Sequence, residues 1–481
     1  MTHPDAHILE LAVVGSVNKG KSSLVTTLCE IDSGLVDPLP RSTRVSTQYA
    51  YDFSGAENED PLFRLVDTPG FQQAREALAW VRERVDTGMV EPDAIREFVR
   101  SHEGGKQFTD EWRLLKPLLD GAGILYVVDG SAPFNPAAMA EMDLLRMTGR
   151  PRLAVINQTH PDRDFSDELR DKLSPYFKVV SFNTHRAGWP ERLALWQSFR
   201  GIDDAWAPVI DLVIDALRTE VRQRRKEAAT ATAKFLADMM RWQWKHKTPK
   251  GSEVDSLRQR ANEAFLAYAA NQEQRLRATL RRLYRHRRNL EVSSATLPPH
   301  LDLPITDSHS WRVFGLKPTR LLQLGVVSGA ASGLAIDTLA GGTTHLLPTL
   351  SGAVAGGVLA LAGTNRFLRT KISPLRSMGK EVHEVEVVIS AGNDSKLPFV
   401  LLDRALQVQT YLENLSHANR GVPDVPAEGK LASITLSWDG ETVREMNRLL
   451  NDLKTNRKSR ADAEHAFARR IELAMEVHRP L

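Results

Sequence analysis

Residues 11–23 read Leu11-Ala-Val-Val-Gly15-Ser-Val-Asn18-Lys-Gly20-Lys21-Ser22-Ser23 and continue an apolar run that begins at Ile8. A glycine followed after four residues by Gly-Lys-Ser is a phosphate-binding loop when a strand precedes it and a helix follows it. Backbone N–H groups of such a loop surround phosphate oxygens, and the helix directs its positive end at the same oxygens. The stretch predicts a nucleotide phosphate site made by Gly15, Ser16, Val17, Asn18, Lys19, Gly20, Lys21, Ser22 and Ser23.

The next apolar run ends at Asp67-Thr68-Pro69-Gly70, and these four residues are predicted to line the same site. A carboxylate at the end of a neighbouring strand can hold Mg²⁺, and the N–H of a following glycine can contact a γ-phosphate. We therefore expect Ser22 and Asp67 to hold Mg²⁺ and Gly70 to sense the γ-phosphate. Lys21 is expected to neutralise phosphate charge.

A polar loop punctuated by prolines runs from Asp37 to Thr47, between these two motifs. A threonine in such a loop can bind Mg²⁺ and respond to the γ-phosphate, which makes the loop a switch. Thr43 and Thr47 are the two candidates.

Apolar runs alternate with helix-like spacing through the first 205 residues. The runs lie at 8–14, 62–66, 122–129, 152–157 and 178–182, and the helix-like segments at 22–30, 72–88, 136–148, 164–175 and 190–200. This alternation predicts an α/β domain with a mostly parallel sheet and helices on both faces, over residues 1–205. Residues 72–118 are longer than a simple crossover and predict two or three helices that move with the nucleotide state.

The quoted motifs resemble those of the Era/TrmE-like P-loop GTPases of the translation-factor class, over about residues 7–205. The resemblance implies GTP binding, Mg²⁺-dependent hydrolysis to GDP and nucleotide-driven switching. It favours Thr43 as the third Mg²⁺ ligand, because Arg41-Ser-Thr43-Arg44 is similar to the family's switch sequence. It also matches Asn18 to a loop asparagine that helps some relatives bind K⁺, so Asn18 joins Lys21, Thr43 and Gly70 as a predicted catalytic residue and K⁺-stimulated hydrolysis is a hypothesis.

Phe71 stands where Ras-like proteins carry a water-orienting glutamine, and the resemblance implies that this absence is usual in Era-like proteins. The sequence departs from the family at base recognition. Asn157-Gln158-Thr159-His160 replaces the Asn-Lys-x-Asp motif that reads guanine, and Asp162 is a substitute carboxylate two residues further on. Base contacts are predicted from Asn157, Gln158, Ser181, Phe182 and Asn183, the last three a loose match to Ser-Ala-Lys. GTP is the expected ligand, and relaxed specificity or ATP is the alternative.

The composition sets the broad class. With 481 residues the chain is too long for one hydrophobic core. Its single cysteine, Cys29, excludes a disulfide framework and is typical of a reducing cytosol. The first residues do not read as a secretory signal, so a cytoplasmic location is expected.

The region 206–300 is predicted to contain long amphipathic helices, from Ala207 to about Lys247 and from about Glu253 to Arg288. A helical hairpin packed on the first domain is the simplest interpretation. A second interpretation rests on the basic end of the later helix, which could face anionic lipid or, less favoured, RNA. Its arginines are Arg275, Arg277, Arg281, Arg282, Arg285, Arg287 and Arg288.

Residues 321–363, within a region assigned to 301–376, carry small residues at four-residue spacing. They are Gly325, Gly329, Gly333 and Gly341 on one segment and Gly352, Gly356 and Ala360 on the next. Such stripes let two helix backbones touch, as membrane helices do. The two segments are near the ~20 residues that a span needs, so contact with the inner face of the cell membrane is predicted, with a soluble hairpin as the alternative because Asp337 and Gln323 are costly in a bilayer.

The C-terminal part resembles a bacterial domain of unknown function that is fused to Era-like GTPases. Residues 377–481 are predicted to form a small α+β region, with strands at 382–390 and 431–438 and helices at 398–417 and 441–475. A homodimer or a helical protein is the expected partner besides GTP and GDP. Three hypotheses follow: a GTPase switch at a membrane, a nucleotide-binding adaptor that barely hydrolyses, and an RNA- or ribosome-associated GTPase.

Overall fold

The computed structural model describes residues 8–16, 18–31, 47–50, 62–158, 160, 162–286, 368–377, 380–391, 396–418, 434–455 and 459–478. Val17, Thr43 and the glycine-rich segment 321–363 lie outside these residues. The described residues form two compact units. One contains the chain up to Gln223 together with 285–286 and 413–418, and the other contains the remainder.

A six-stranded sheet forms the centre of the first unit. Its strands are β1 (Leu9–Val14), β2 (Thr47–Ala50), β3 (Phe63–Asp67), β4 (Gly123–Asp129), β5 (Arg152–Asn157) and β6 (Lys178–Phe182), in the order β2-β3-β1-β4-β5-β6. All neighbours are parallel except β2, which pairs antiparallel with β3. The strand order changes direction at β1: β2 and β3 lie on one side of it, and β4, β5 and β6 lie on the other. In such folds, ligands bind in the crevice at the carboxyl ends of the strands where the order changes direction.

The helices of this unit are α1 (Lys21–Leu28), α2 (Ala74–Asp86), α3 (Glu91–His102), α4 (Thr109–Leu119), α5 (Ala138–Met147), α6 (Ser166–Leu173) and α7 (Trp189–Arg200). The predicted α/β architecture is confirmed, including three helices between β3 and β4 with a break at Gly104-Gly105. The strand β2 is not predicted from the sequence. A four-residue edge strand in a polar, proline-rich stretch carries too short an alternation to be recognised.

Both faces of the sheet are buried, as its parallel pairing requires. Alternate residues such as Ala12, Val14 and Tyr126 pack into a core with the helical insertion. Their neighbours on the opposite face are equally buried, and there Phe63 lies 4.5 Å from the ring of Trp196 on α7. The strands therefore read as continuous apolar runs.

The second unit combines long helices with a three-stranded antiparallel sheet. Its elements are α8 (Ala207–Arg241, which begins in the first unit), β7 (Gln243–Pro249), α9 (Val254–Leu283), β8 (Leu368–Ser377), β9 (Lys380–Ala391), α10 (Lys396–Asn414), α11 (Gly440–Lys454) and α12 (Arg460–His478). The sheet order is β7-β9-β8. Leu257 and Ala261 of α9 pack on Val387 and Ile389 of β9, so the helix covers one sheet face.

Several boundaries differ from the sequence analysis. The first long helix ends at Arg241 rather than Lys247, because residues 243–247 alternate between exposed and half-buried side chains and form β7. The predicted strand at 431–438 is wrong over its described part, which holds a short 3₁₀ turn, Thr435–Ser437. The predicted helix 441–475 is two helices, and β8 was missed.

The arginine-rich end of α9 is less exposed than its sequence indicates. The helix ends at Leu283, and Arg285 has a left-handed backbone with φ 59°. Arg277 pairs with buried Glu273, while Arg285 hydrogen-bonds Glu220. Among the described arginines of this set only Arg275 and Arg282 are exposed. The exposed basic surface is therefore smaller than predicted, because Arg277 and Arg285 are paired with glutamates. Within the described part of the chain, no helix is long and apolar enough to cross a membrane.

Candidate nucleotide-binding site

The phosphate loop leaves β1 in a conformation that depends on its glycines. Gly15 has φ +136°, and a Cβ there would lie 2.5 Å from the carbonyl oxygen of Val127. Gly20 has φ +92°, and a Cβ there would lie 2.1 Å from Nδ2 of Asn157. Side chains at these two positions would be strained and would clash. The loop then enters α1 at Lys21, as the motif predicts.

Lys21 is buried, with 8% of its surface exposed, and its ammonium group lies across the loop. Nζ donates to the carbonyl oxygens of Gly15 at 3.0 Å and Ser16 at 2.9 Å. Burial lowers the pKa of Lys21, while the charges of Asp67 and Glu141 oppose that shift. The lysine is thus held at the loop as a cation close to two carboxylates.

Ser22 and Asp67 meet at the carboxyl ends of β1 and β3. The Ser22 hydroxyl donates to Oδ2 of Asp67 at 2.7 Å, and Asp67 is 2% exposed. Burial raises the pKa of Asp67, and the Ser22 hydrogen bond and the Lys21 charge counteract it. Oδ1 of Asp67 is buried without a hydrogen-bond partner among the described residues. A hydroxyl beside a buried carboxylate with one unbonded oxygen fits the oxygen ligands that Mg²⁺ prefers.

A buried glutamate of α5, which the sequence analysis missed, supports the loop from below. Glu141 is 5% exposed; its Oε1 accepts from the Ser16 hydroxyl at 2.6 Å and its Oε2 from the Tyr126 hydroxyl at 2.8 Å. Burial raises the pKa of Glu141, opposed by these two hydrogen bonds and by the charges of Lys21 and Lys19. Lys19 also lies 3.8 Å from Asp129 at the end of β4.

The residues after Gly70 are held by a second missed glutamate, which lies on α4 of the helical insertion. Oε1 of Glu111, a residue 1% exposed, accepts from the backbone N–H groups of Gln72 at 2.7 Å and Gln73 at 2.6 Å. These N–H groups precede the first turn of α2, whose N-cap makes no side-chain hydrogen bond of its own. Glu111 supplies the acceptor that a helix start needs. Phe71 is buried in the core.

Asn157 joins the phosphate loop to the loop after β6. It is fully buried; Nδ2 donates to the carbonyl oxygen of Lys19 at 3.3 Å, and Oδ1 accepts from the N–H of Thr184 at 3.1 Å. Thr68 similarly fixes the end of β3, since its hydroxyl donates to the Val13 carbonyl oxygen at 2.8 Å. Two buried polar side chains thus hold the strand ends in register.

The residues that follow Asn157 fold back on their own loop. Nε2 of Gln158 donates to the carbonyl oxygens of Arg163 at 2.6 Å and His160 at 3.1 Å. The N–H of His160 donates to the Ser131 hydroxyl, and the His160 and Asp162 side chains are exposed. The position that carries the guanine-reading carboxylate in the resembling family therefore presents an imidazole.

The three predicted residues at the end of β6 have different surroundings. The hydroxyl of exposed Ser181 accepts from Arg170 on α6 at 2.9 Å, and Phe182 is buried. Oδ1 of Asn183 accepts from the N–H groups of His185 and Arg186 and so closes a turn. Thr184, which was not predicted from the sequence, is the residue that Asn157 binds.

Asn18 of the phosphate loop is exposed with φ 63°, and its side chain makes no hydrogen bond among the described residues.

Two protein-family models match the chain, and the boundary between them falls between β5 and the edge strand β6. Residues 10–158 match the family described as 50S ribosome-binding GTPase, and residues 170–476 match the domain of unknown function DUF3482. The second match covers more than half of the chain. The chain belongs to the DUF3482 family. Its N-terminal part is a P-loop GTPase domain, and the DUF3482 match begins in α6, so it includes β6 and the loop that Asn157 binds.

The curated relatives are similar to this DUF3482 protein over about a third of its length. GTPase Der of Fusobacterium nucleatum is 26% identical over 163 residues, which is 34% of this chain and 29% of the relative. GTPase Der of Geotalea daltonii is 26% identical over 155 residues, 32% of this chain and 27% of the relative. GTPase Der of Rhizobium meliloti is 27% identical over 150 residues, which is 31% of this chain and 25% of the relative. The match spans less than a third of each relative, and the Era/TrmE subdivision stays a prediction.

The Glu141→Gln variant tests the buried carboxylate below the loop. Because folding raises the pKa of Glu141, the native state keeps a proton that the unfolded state has released between the ordinary glutamate pKa and the raised one. The unfolding free energy of the wild type should therefore fall relative to Glu141→Gln as pH rises through that window. The slope is at most about 1.4 kcal/mol per pH unit.

Denaturant unfolding of both proteins from pH 4.5 to 8 measures this difference. Glu76→Gln at an exposed position of α2 is the matched control for the substitution itself. A difference between wild type and Glu141→Gln that stays constant with pH would contradict the raised pKa.

The Glu111→Ala variant tests the support of the segment after Gly70. A hydrogen bond to a charged acceptor contributes about 1.5–3 kcal/mol, so the amides of Gln72 and Gln73 should exchange hydrogen at least tenfold faster without it. Glu111→Gln keeps one side-chain oxygen and should retain most of the protection. Site-resolved hydrogen exchange measures both, with Glu97→Ala on the exposed face of α3 as control; unchanged exchange in Glu111→Ala would show that Glu111 does not hold the segment.

Proposed function

We propose that this protein binds GTP with Mg²⁺ and hydrolyses it to GDP, and that the segment after Gly70 changes with the nucleotide. The observation that carries the proposal is the arrangement of Lys21, Ser22 and Asp67 at the ends of β1 and β3. A buried ammonium, a hydroxyl and a carboxylate oxygen without a partner among the described residues stand together there. Phosphoryl transfer needs such positioning and charge neutralisation rather than covalent chemistry from the protein.

Each residue of the site then has a role. Nucleotide binding replaces the Gly15 and Ser16 carbonyl oxygens around Lys21 with phosphate oxygens, which are stronger acceptors. Ser22 and Asp67 would hold Mg²⁺, which supplies charge neutralisation on the β- and γ-phosphates when it is bound. Thr43, outside the described residues, stays the predicted third ligand. Gly70 is proposed to sense the γ-phosphate and to pass the change to the amides that Glu111 holds.

Water activation lacks an orienting glutamine, because Phe71 is buried at that position. We therefore expect slow hydrolysis by the isolated protein. The exposed amide of Asn18 is available at the loop, and K⁺-stimulated hydrolysis through Asn18 stays a prediction.

Guanine is the proposed base on the strength of the GTPase family match to residues 10–158. Asn157 supports the loops around the base rather than the base itself. With His160 in place of a carboxylate, discrimination against adenine is expected to be weak, since a site distinguishes bases mainly by buried polar contacts.

A ribosome- or RNA-associated role takes its support from the description of the matching family model. A homodimer or helical partner, a cytoplasmic location and contact with a membrane through residues 321–363 also stay predictions. An adaptor that binds nucleotide with little hydrolysis differs from the main proposal only in its rate of GTP hydrolysis. Measurement of that rate separates the two proposals.

Lys21→Ala and Ser22→Ala test the proposed activity. Purified wild-type protein should release phosphate from GTP in the presence of Mg²⁺, and chelation of the metal should abolish it. Lys21→Ala should lose at least a hundredfold in kcat/KM, about 2.7 kcal/mol of transition-state stabilisation. Ser22→Ala should lower Mg²⁺-dependent binding more than metal-free binding.

Lys172→Ala on the exposed face of α6 is the matched control and should behave as the wild type. Tight nucleotide binding with no single-turnover hydrolysis would favour the adaptor. Absence of nucleotide binding by the wild type would refute the proposal.

His160→Asp tests base recognition. Restoring a carboxylate at this position should increase GTP affinity at least tenfold and leave ATP affinity unchanged, because guanine offers adjacent N1–H and N2–H donors to a carboxylate, whereas adenine has an acceptor at N1 and no amino group at C2. Competition binding with GTP, ATP and XTP measures the ratios. Asp162→Asn is the companion variant: a selective loss of GTP affinity there would show that Asp162 already reads guanine and that His160 is not the cause of weak discrimination.

A further inference from the structure

A short segment from the C-terminal half of the sequence lies in the first compact unit, against the base-side loop. The segment, residues 414–418, begins at the last residue of α10 and is named here the 414–418 segment. The base-side loop is Asn183–Ala187, which follows β6. Their contact joins residues more than two hundred positions apart in the sequence, so it arises from tertiary folding alone.

Four hydrogen bonds define the contact. The Ser416 hydroxyl donates to the carbonyl oxygen of Thr184, and Nδ1 of His185 lies 3.1 Å from the carbonyl oxygen of Ala418. Oγ1 of Thr27, on the helix that begins at Lys21, lies 3.0 Å from the Thr184 carbonyl oxygen and 3.3 Å from the Ser416 hydroxyl. The three residues that share the Thr184 carbonyl oxygen are shielded from water: Thr27, Thr184 and Ser416 are 1%, 0% and 4% exposed.

These bonds extend the connection already described at Asn157. The carbonyl oxygen of Lys19 in the phosphate loop binds Asn157, and Asn157 binds the N–H of Thr184. The carbonyl group of that same Thr184 residue binds Ser416. A continuous buried path of hydrogen bonds therefore runs from the phosphate loop to the 414–418 segment.

The surrounding packing leaves little freedom to this segment. A Cβ on Gly188 would lie 3.1 Å from Cα of Asn414, so the chain passes close to the start of α7. The ring of His417 stacks on that of His286 with centroids 4.3 Å apart. The neighbouring Arg285 hydrogen-bonds Glu220 at 2.8 Å and lies 3.8 Å from Glu30 beyond the end of α1.

The family boundaries agree with this arrangement. The GTPase match ends at residue 158, before the base-side loop, whereas the DUF3482 match from 170 to 476 contains both the loop and the 414–418 segment. The base-side loop and the 414–418 segment thus both lie within the DUF3482 match, and neither lies within the GTPase match.

We propose that the 414–418 segment positions the base-side loop, so that nucleotide affinity depends on the DUF3482 region and nucleotide binding in turn orders that segment. Ser416 is a positioning residue in this scheme and acts through Thr184. The inference rests on the proposed nucleotide binding. Because coupling between two sites is reciprocal in binding free energy, a change at either end must be measurable at the other.

The Ser416→Ala variant of the full-length protein tests the first direction. Removal of one hydrogen bond to a buried carbonyl group is worth about 0.5–1.5 kcal/mol, so the Kd for a fluorescent GDP analogue should rise about fivefold. The loop lies on the base side, away from Ser22 and Asp67, so KM for GTP should rise with kcat unchanged. Ser416→Thr keeps the hydroxyl and should restore affinity, and Ser437→Ala, at an exposed residue of the 3₁₀ turn, should leave it unchanged.

Hydrogen exchange of the wild type with and without GDP and Mg²⁺ tests the second direction. Amides of residues 414–418 should gain protection on nucleotide binding, whereas amides of α11 should not change. Thermal unfolding of Ser416→Ala accompanies both measurements, so that a folding defect is recognised before affinity is interpreted; if that variant unfolds, exchange in the wild type decides.

The outcomes separate the inference from the function on which it rests. A wild-type protein that binds no nucleotide refutes the proposed function. A wild-type protein that binds GDP, together with a folded Ser416→Ala variant of unchanged Kd and unchanged protection of residues 414–418, refutes the positioning role and leaves the proposed function intact. A fall in kcat at constant KM would also overturn it, because that result places Ser416 in the chemical step.

Discussion

The site depends on the balance of three buried charges around the phosphate loop. Lys21 is a buried cation that satisfies two backbone carbonyl oxygens, and the carboxylates of Asp67 and Glu141 lie near enough to act on its pKa. A buried charge is tolerated only when it is paired and hydrogen-bonded. The arrangement holds the Lys21 ammonium group where phosphate charge is expected. Burial raises the pKa of Glu141 and so favours the neutral form of that carboxyl group next to the loop.

Asn157 extends that constraint from the phosphates towards the base. One amide binds the phosphate loop and the base-side loop, so displacement of either loop breaks a buried hydrogen bond. On the opposite side, Glu111 binds the segment that follows Gly70. Both connections use a single buried polar side chain on backbone groups. Such bonds have defined geometry and are costly to leave unmade, which makes the loops move as units rather than residue by residue.

The sequence was informative where the chemistry is local. The spacing from Gly15 to Ser22 and the strand-end Asp67 are properties of short segments, and the structure brings Ser22 and Asp67 together. Glu141, Glu111 and Thr184 could not be found in this way, because each acts on residues distant in the chain and an isolated glutamate or threonine in a helix or loop carries no periodic signal. The mistaken helix at 243–247 has a related cause: the alternation in this short stretch was masked by the helical spacing before it, and its pairing with β9 is not visible in the sequence.

The division between the two family matches has a physical meaning. A parallel sheet is stable only when both of its faces are covered and its edge is paired or protected. Here the GTPase match supplies β1 to β5, whereas β6 at the edge and α7 on the face lie in the DUF3482 match. Trp196 of α7 packs on Phe63 of β3, so the GTPase core is completed by residues of the second family. The DUF3482 match therefore contributes a strand and a helix to the sheet that carries the phosphate loop.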